Sequence, residues 1–163
     1  MVKVPVQRTS RSVFDQKRGI IMGYLAPGED LLGGLKKVCE RHGVKSGSIS
    51  CIGSLSNIEI VQLDYNDGEM AYSKPIQWNT PVELLSGNGF IGVDEQGDLD
   101  IHFHGVFVDH RKNVSGGHFL EGKTIVAITL EFTIIVAEGI QPVRETYQPS
   151  GFSLFNFYDE SEA

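Results

Sequence analysis

Residues 98–122, DLDIHFHGVFVDHRKNVSGGHFLEG, decide how the rest of the chain is read. They carry four of the five histidines and alternate apolar with polar residues. Such period-two alternation belongs to a strand with one covered face. A strand over residues 99–108 puts Leu99, Ile101, Phe103 and Phe107 on one side. Asp98, Asp100, His102 and His104 fall on the other, followed by Val106 and Val108. Residues 110–115 are expected as a polar loop that turns the chain back. Gly116 and Gly117 are expected to supply the permissive backbone of a bulge or tight return. The return carries His118 beside His102 and His104. Three imidazoles on one rigid hairpin, with a coordination position left over, describe a transition-metal site.

Zinc is the first expectation for a divalent ion at that site, and nickel, iron or copper would accept the same nitrogen donors. The bland alternative is that His102 and His104 are strand residues facing water, since an HxH pair alone is common. Asp100 shares their face and is a candidate fourth ligand or an acceptor that orients one ring. Glu83 and Glu131 are further candidates near the ion or in a ligand cleft, and His110 reads as a loop residue. A cupin would need a glutamate soon after the second histidine, but Gly105, Val106, Phe107, Val108 and Asp109 stand there.

A chain of 163 residues, 40% hydrophobic and 21% charged, is long enough to bury a core as one domain. Its 19 glycines favour many short connections. The formal net charge of -7 opposes binding to nucleic acid through phosphate neutralisation. Cys39 and Cys51 form no CxxC pair and read as free thiols of a reducing compartment. With no apolar leader and no membrane-length apolar run, a cytoplasmic protein without membrane contact is expected.

The first twelve residues, with Lys3, Arg8 and Arg11, read as a loose terminal arm. A strand is expected around residues 19–25, then a turn at Pro27-Gly28-Glu29-Asp30. The turn feeds a helix whose first turn carries the Glu29 and Asp30 charges. Leu31, Leu32, Leu35, Val38 and Cys39 form its buried stripe, and Gly43 ends it. Cys39 is therefore a core residue, His42 a last-turn histidine, and Gly33-Gly34 a place for another backbone to approach closely.

Strands follow over residues 44–52 and 57–64, flanking Gly53-Ser54-Leu55-Ser56, with a hairpin turn at Asn66-Asp67-Gly68 and a return over 69–73. Residues 74–81 read as a loop holding a partly buried Trp78. Residues 82–93 give one or two strands broken at Gly87 and Gly89. Residues 125–136 form the most apolar strand, with Val126, Ile128, Leu130, Phe132, Ile134 and Val136 inward. Its other face, with Thr129, Glu131 and Thr133, lines a cleft or a subunit contact. Phe152, Leu154, Phe155 and Phe157 mark a last strand before the acidic tail Asp159-Glu160-Ser161-Glu162.

Pro27-Gly28-Glu29-Asp30 before a helix, Ile52-Gly53-Ser54-Leu55 with Asn57, and Pro81-Val82-Glu83-Leu84-Leu85-Ser86-Gly87 occur in that order. With His102-x-His104 and Gly116-Gly117-His118 behind them, the set resembles the PPC domain, the plant and prokaryote conserved domain. The resemblance covers roughly residues 18–147. It implies an α/β (α+β) fold, a mostly antiparallel sheet with one packed helix, assembled as a homotrimer. Plant members carry the domain behind AT-hook segments in nuclear DNA-binding proteins, which implies a DNA-associated role. This chain lacks the AT-hook core and keeps the histidines typical of prokaryotic members.

Two function classes follow. One is a trimeric metal protein whose three-histidine site binds a small ligand, or activates water by lowering its pKa to about 7. The other is a DNA-associated regulatory or protein-assembly module. A purely structural metal is a third, plainer reading. Activity as an enzyme is left open, because Asp100, Glu83 and Glu131 are the only general-base candidates.

Overall fold

Alternating apolar residues turn most of this chain into strand. The computed structural model describes residues 8–66 and 68–161. The expectations for Lys3 in the arm, Asp67 in the hairpin turn and Glu162 in the tail lie outside these residues. The elements are β1 (Arg11–Asp15), β2 (Ile20–Leu25), α1 (Leu31–His42), β3 (Gly47–Val61), β4 (Leu63–Asn66), β5 (Glu69–Tyr72) and β6 (Ile76–Trp78). They continue with β7 (Val82–Asp94), β8 (Leu99–Asp109), β9 (Val114–Phe119), β10 (Ile125–Val136), β11 (Ile140–Tyr147) and β12 (Phe152–Asp159). The fold is the expected one: a mostly antiparallel sheet with one helix.

The 15-residue β3 is the axis of the sheet. β6 and then β7 run antiparallel along one of its edges, β9 and then β10 along the other. β8 joins β7 to β9, so the pairings β3–β7–β8–β9–β3 close on themselves. Phe103, Phe107 and Phe119 fill this ring, each no more than 1% exposed. Their rings stack edge to face, with Phe119 5.3 Å from Phe103 and Trp78 4.8 Å from Phe107. Aromatic burial of this kind is a principal source of stability in a β core.

Residues 82–93, expected to break at the glycines, form a single strand. Gly87 and Gly89 are small because Phe103 lies against them: a Cβ on Gly87 would sit 2.4 Å from its ring. Likewise residues 53–56 do not interrupt β3. The register shifts there instead, and the opposing β10 bulges between Val126 and Leu130. That bulge breaks the inward alternation and leaves Ile128 69% exposed. Residues 74–81 are not only a loop, since Ile76–Trp78 pairs with β3.

α1 buries Leu31, Leu32, Leu35, Val38 and Cys39, the stripe read from the sequence. Asp30 is the N-cap rather than a first-turn residue, and its carboxylate accepts the Gly33 N–H at 2.8 Å. Gly43 closes the helix in the left-handed region at φ 69°. The close neighbour of Gly34 is not another backbone but the Leu25 side chain, 2.7 Å from where a Cβ would stand. No helix among the described residues is long and apolar enough to cross a membrane.

Candidate metal centre

Strand register assembles the imidazoles. β7 and β8 pair Phe90 with His102 and Asn88 with His104. β8 and β9 pair His104 with His118, which also faces Val61 of β3. The pleat that turns Phe103 and Phe107 inward turns His102 and His104 outward together.

The connection between β8 and β9 is tighter than expected, because β9 already starts at Val114. Asp109 organises it: its N–H donates to the Asn113 carbonyl at 3.0 Å. Its carboxylate accepts the N–H groups of Arg111 and Asn113 at 2.8 and 2.9 Å. His110 lies in this turn, away from the cluster. Gly116 and Gly117 make no bulge, for β8 and β9 stay in register throughout. They permit close packing instead. A Cβ on Gly116 would lie 2.5 Å from the Gly105 carbonyl oxygen, and one on Gly117 2.7 Å from that of Val61.

The Nε2 atoms of His102 and His104 are 3.1 Å apart. The His118 ring centroid lies 5.1 Å from that of His102 and 5.2 Å from that of His104. One nitrogen from each of the three rings falls within 4.8 Å of the others. Ligands of a tetrahedral zinc at 2.0–2.1 Å stand about 3.3 Å from one another, so small ring rotations close the set.

Electrostatics keep the rings neutral. Burial, then the Arg144 charge and His104, lowers the His102 pKa to about 4. His118 is lowered to about 4 by burial, then by its two histidine neighbours and Arg144. Burial and Arg144 also lower His104. Near neutral pH every ring therefore offers a lone pair. The Nδ1 of His118 is buried without a hydrogen-bond partner, a cost of roughly 1–3 kcal/mol that coordination through it would relieve. These donors fit a nitrogen-liking divalent ion.

The carboxylates are placed differently. Asp100 sits on the histidine face, but one oxygen accepts the Ile101 N–H at 2.8 Å and the other lies 2.8 Å from Arg144 Nε. The latter is a charge contact rather than an aligned hydrogen bond, since Arg144 Nε has no bond of good angle. Glu83 is exposed opposite Val108, four positions along β8 from His104, which is about 13 Å by strand rise. Glu131 is exposed on β10 and lines a groove with Arg11, Tyr24 and Ile52. That groove, about 660 Å³, is larger than either cavity beside the histidines but holds none of them.

A cavity of about 420 Å³ opens over His102 and His104, walled by Ser50, Asn88, Phe90 and Thr133. On the His118 side a second, about 370 Å³, is walled by Tyr72, Arg144 and Phe152. Thr133 and Glu131 thus line clefts, as the polar face of residues 125–136 suggests. Sequence reasoning misses Arg144, because it lies on β11, a strand not expected. No clean alternation marks that strand, since Pro142 is its one buried residue and Val143 and Arg144 are both half-buried. Nothing local announces the parallel pairing of Val143 and Arg144 with Val93 and Asp94 that carries Arg144 to the cluster.

The family model for the Plants and Prokaryotes Conserved (PCC) domain matches residues 14–138. No curated protein matches the chain. Among solved structures, a suspected DNA-binding protein from Bacteroides thetaiotaomicron is similar at TM-score 0.78 and 17% identity, over 92% of this chain and 99% of that one. A metal-containing protein from Archaeoglobus fulgidus gives 0.72 at 20% identity, over 91% and 99%. A plant- and prokaryote-conserved (PPC) protein from Pyrococcus horikoshii gives 0.71 at 22%, over 93% and 96%. At these identities the likeness is one of fold.

Proposed function

The chain belongs to the Plants and Prokaryotes Conserved domain family, and from that premise we propose that it is a homotrimeric metal-binding protein. In this reading residues 1–163 form one domain. His102, His104 and His118 hold one divalent transition metal, zinc first, and a small ligand binds at the position they leave open. The observation that carries the reading is three neutral imidazoles with nitrogens within 4.8 Å on a rigid hairpin. The metal-containing relative from Archaeoglobus fulgidus supports it.

A bound ion supplies a Lewis acid with an open position. The chain itself does the rest. Strand register fixes the rings, burial and Arg144 hold them unprotonated, and Asp100 holds Arg144. Asp100 is a positioning residue here, Gly116 and Gly117 let β9 approach its neighbours, and Glu83 and Glu131 act elsewhere. Trimerisation draws support from the outer sheet face, where Val13, Met22, Ile52, Phe90 and Ile135 are each at least half exposed.

Replacing His104, an exposed side chain, by alanine tests the ligand set. The folded variant should take up no stoichiometric metal, and full retention would exclude it. The reading as a DNA-associated module rests on the relatives from Bacteroides thetaiotaomicron and Ralstonia eutropha, both suspected DNA-binding proteins. A net charge of -7 weighs against it. Duplex affinity that falls steeply with salt would favour that module, and no binding at low salt would remove direct DNA contact.

A further inference from the structure

The cavity on the His118 side is built differently from its neighbour. It lies between β5 and the β11–β12 turn, and Arg144 carries the one formal charge among the described residues that line it. The Arg144 side chain is 18% exposed, held at Nε by Asp100 and laid 5.0 Å from the Phe155 ring centroid. A guanidinium fixed along one edge keeps its terminal NH2 groups for another acceptor. The hydroxyls of Tyr72 and Ser153 add donors, and Phe152 adds an apolar wall. His118 belongs to the same lining, so a group held by Arg144 stands against the imidazole cluster.

We infer that this cavity is the subsite for a small organic carboxylate, its anionic end on Arg144 and its apolar body against the wall made by the edge-to-face pair Tyr72 and Phe152. The inference rests on the metal-binding reading only for what the carboxylate meets on its His118 side. A planar guanidinium matches a carboxylate with two parallel hydrogen bonds. One cation among apolar and hydroxyl groups suits a single negative charge better than a phosphate, which draws several cationic donors. About 370 Å³ is room for a small molecule and little more.

The test is calorimetric titration of benzoate, and separately of inorganic phosphate, into cobalt-loaded and chelator-treated protein. Visible absorption of the cobalt is followed in parallel, and cobalt content is measured throughout. Benzoate should bind and perturb the cobalt bands. Compared at equal cobalt loading, Arg144→Met should weaken it about ten- to a hundredfold. Arg144→Lys retains the charge without the fork and guards against a misfolded methionine variant; it should bind benzoate with intermediate affinity. Benzoate that does not bind, or that binds both variants like the parent, overturns the inference, as does phosphate binding where benzoate does not. Failure to take up cobalt would sink the metal reading alone. Arg144-dependent heat from benzoate in the chelated protein would then still support the subsite, and its absence would overturn it.

Discussion

His104 and His118 are register partners across β8 and β9, so the place of each ring is set by the ladder that holds the other. His102, two residues along β8, needs no further device to join them. The site is thereby tied to strand packing, and packing changes should reach the metal.

Gly116→Ala tests that link. The added methyl would stand 2.5 Å from the Gly105 carbonyl oxygen, a backbone atom that cannot swing away. Prising β9 from β8 should cost about 1–3 kcal/mol in urea unfolding and lower the metal content of folded protein. A variant with parental stability and full metal would show that β9 does not position His118.

Acid should weaken the metal-free protein through the same rings. His102 and His118 have folded pKa values near 4, below the ordinary 6.5, so between these values the unfolded chain binds more protons. Stability therefore rises with pH across that window and is lost on acidification from about 6.5 toward 4. Melting temperature of the chelated protein, followed from pH 7 to 4.5, should fall more steeply than in a His102→Asn/His118→Asn variant. Parallel profiles would contradict this.

The thiols should be inert while the fold stands. Burial pushes Cys39 and Cys51 up to about 12, and the Glu40 charge adds to the effect at Cys39. A thiol reagent near neutral pH should label neither cysteine until denaturant is added, then both. Rapid labelling of native protein would place at least one of them outside the core.

Asp30 should matter for stability and not for metal. Its carboxylate caps α1 at Gly33 and also accepts the Thr124 N–H at 3.1 Å, tying the helix start to the approach of β10. Asp30→Ala should lower unfolding free energy by about 1–2 kcal/mol with metal stoichiometry unchanged. Metal loss in this variant would show that the helix cap acts on the hairpin.

What could be read in advance was local. Period-two alternation placed β8 and its two faces, the i, i+4, i+7 stripe placed α1, and the HxH spacing put two rings side by side. Gly43 is legible as the helix stop it proves to be, whereas other glycines stand out as special without showing why. Gly87, Gly116 and Gly117 answer to atoms of other strands, which no window of sequence contains. Arg144 escaped for the same cause, because it reaches the histidines only through the pairing of β11 with the end of β7. The bulge that exposes Ile128 likewise belongs to a pair of strands and not to one.

The most direct measurement is elemental analysis of the untagged protein together with its native mass. The account predicts about one transition metal per chain in a trimer, zinc foremost, absent when His104 is alanine. A metal-free protein that also refuses added zinc would contradict it and leave the three imidazoles as a polar patch on the sheet.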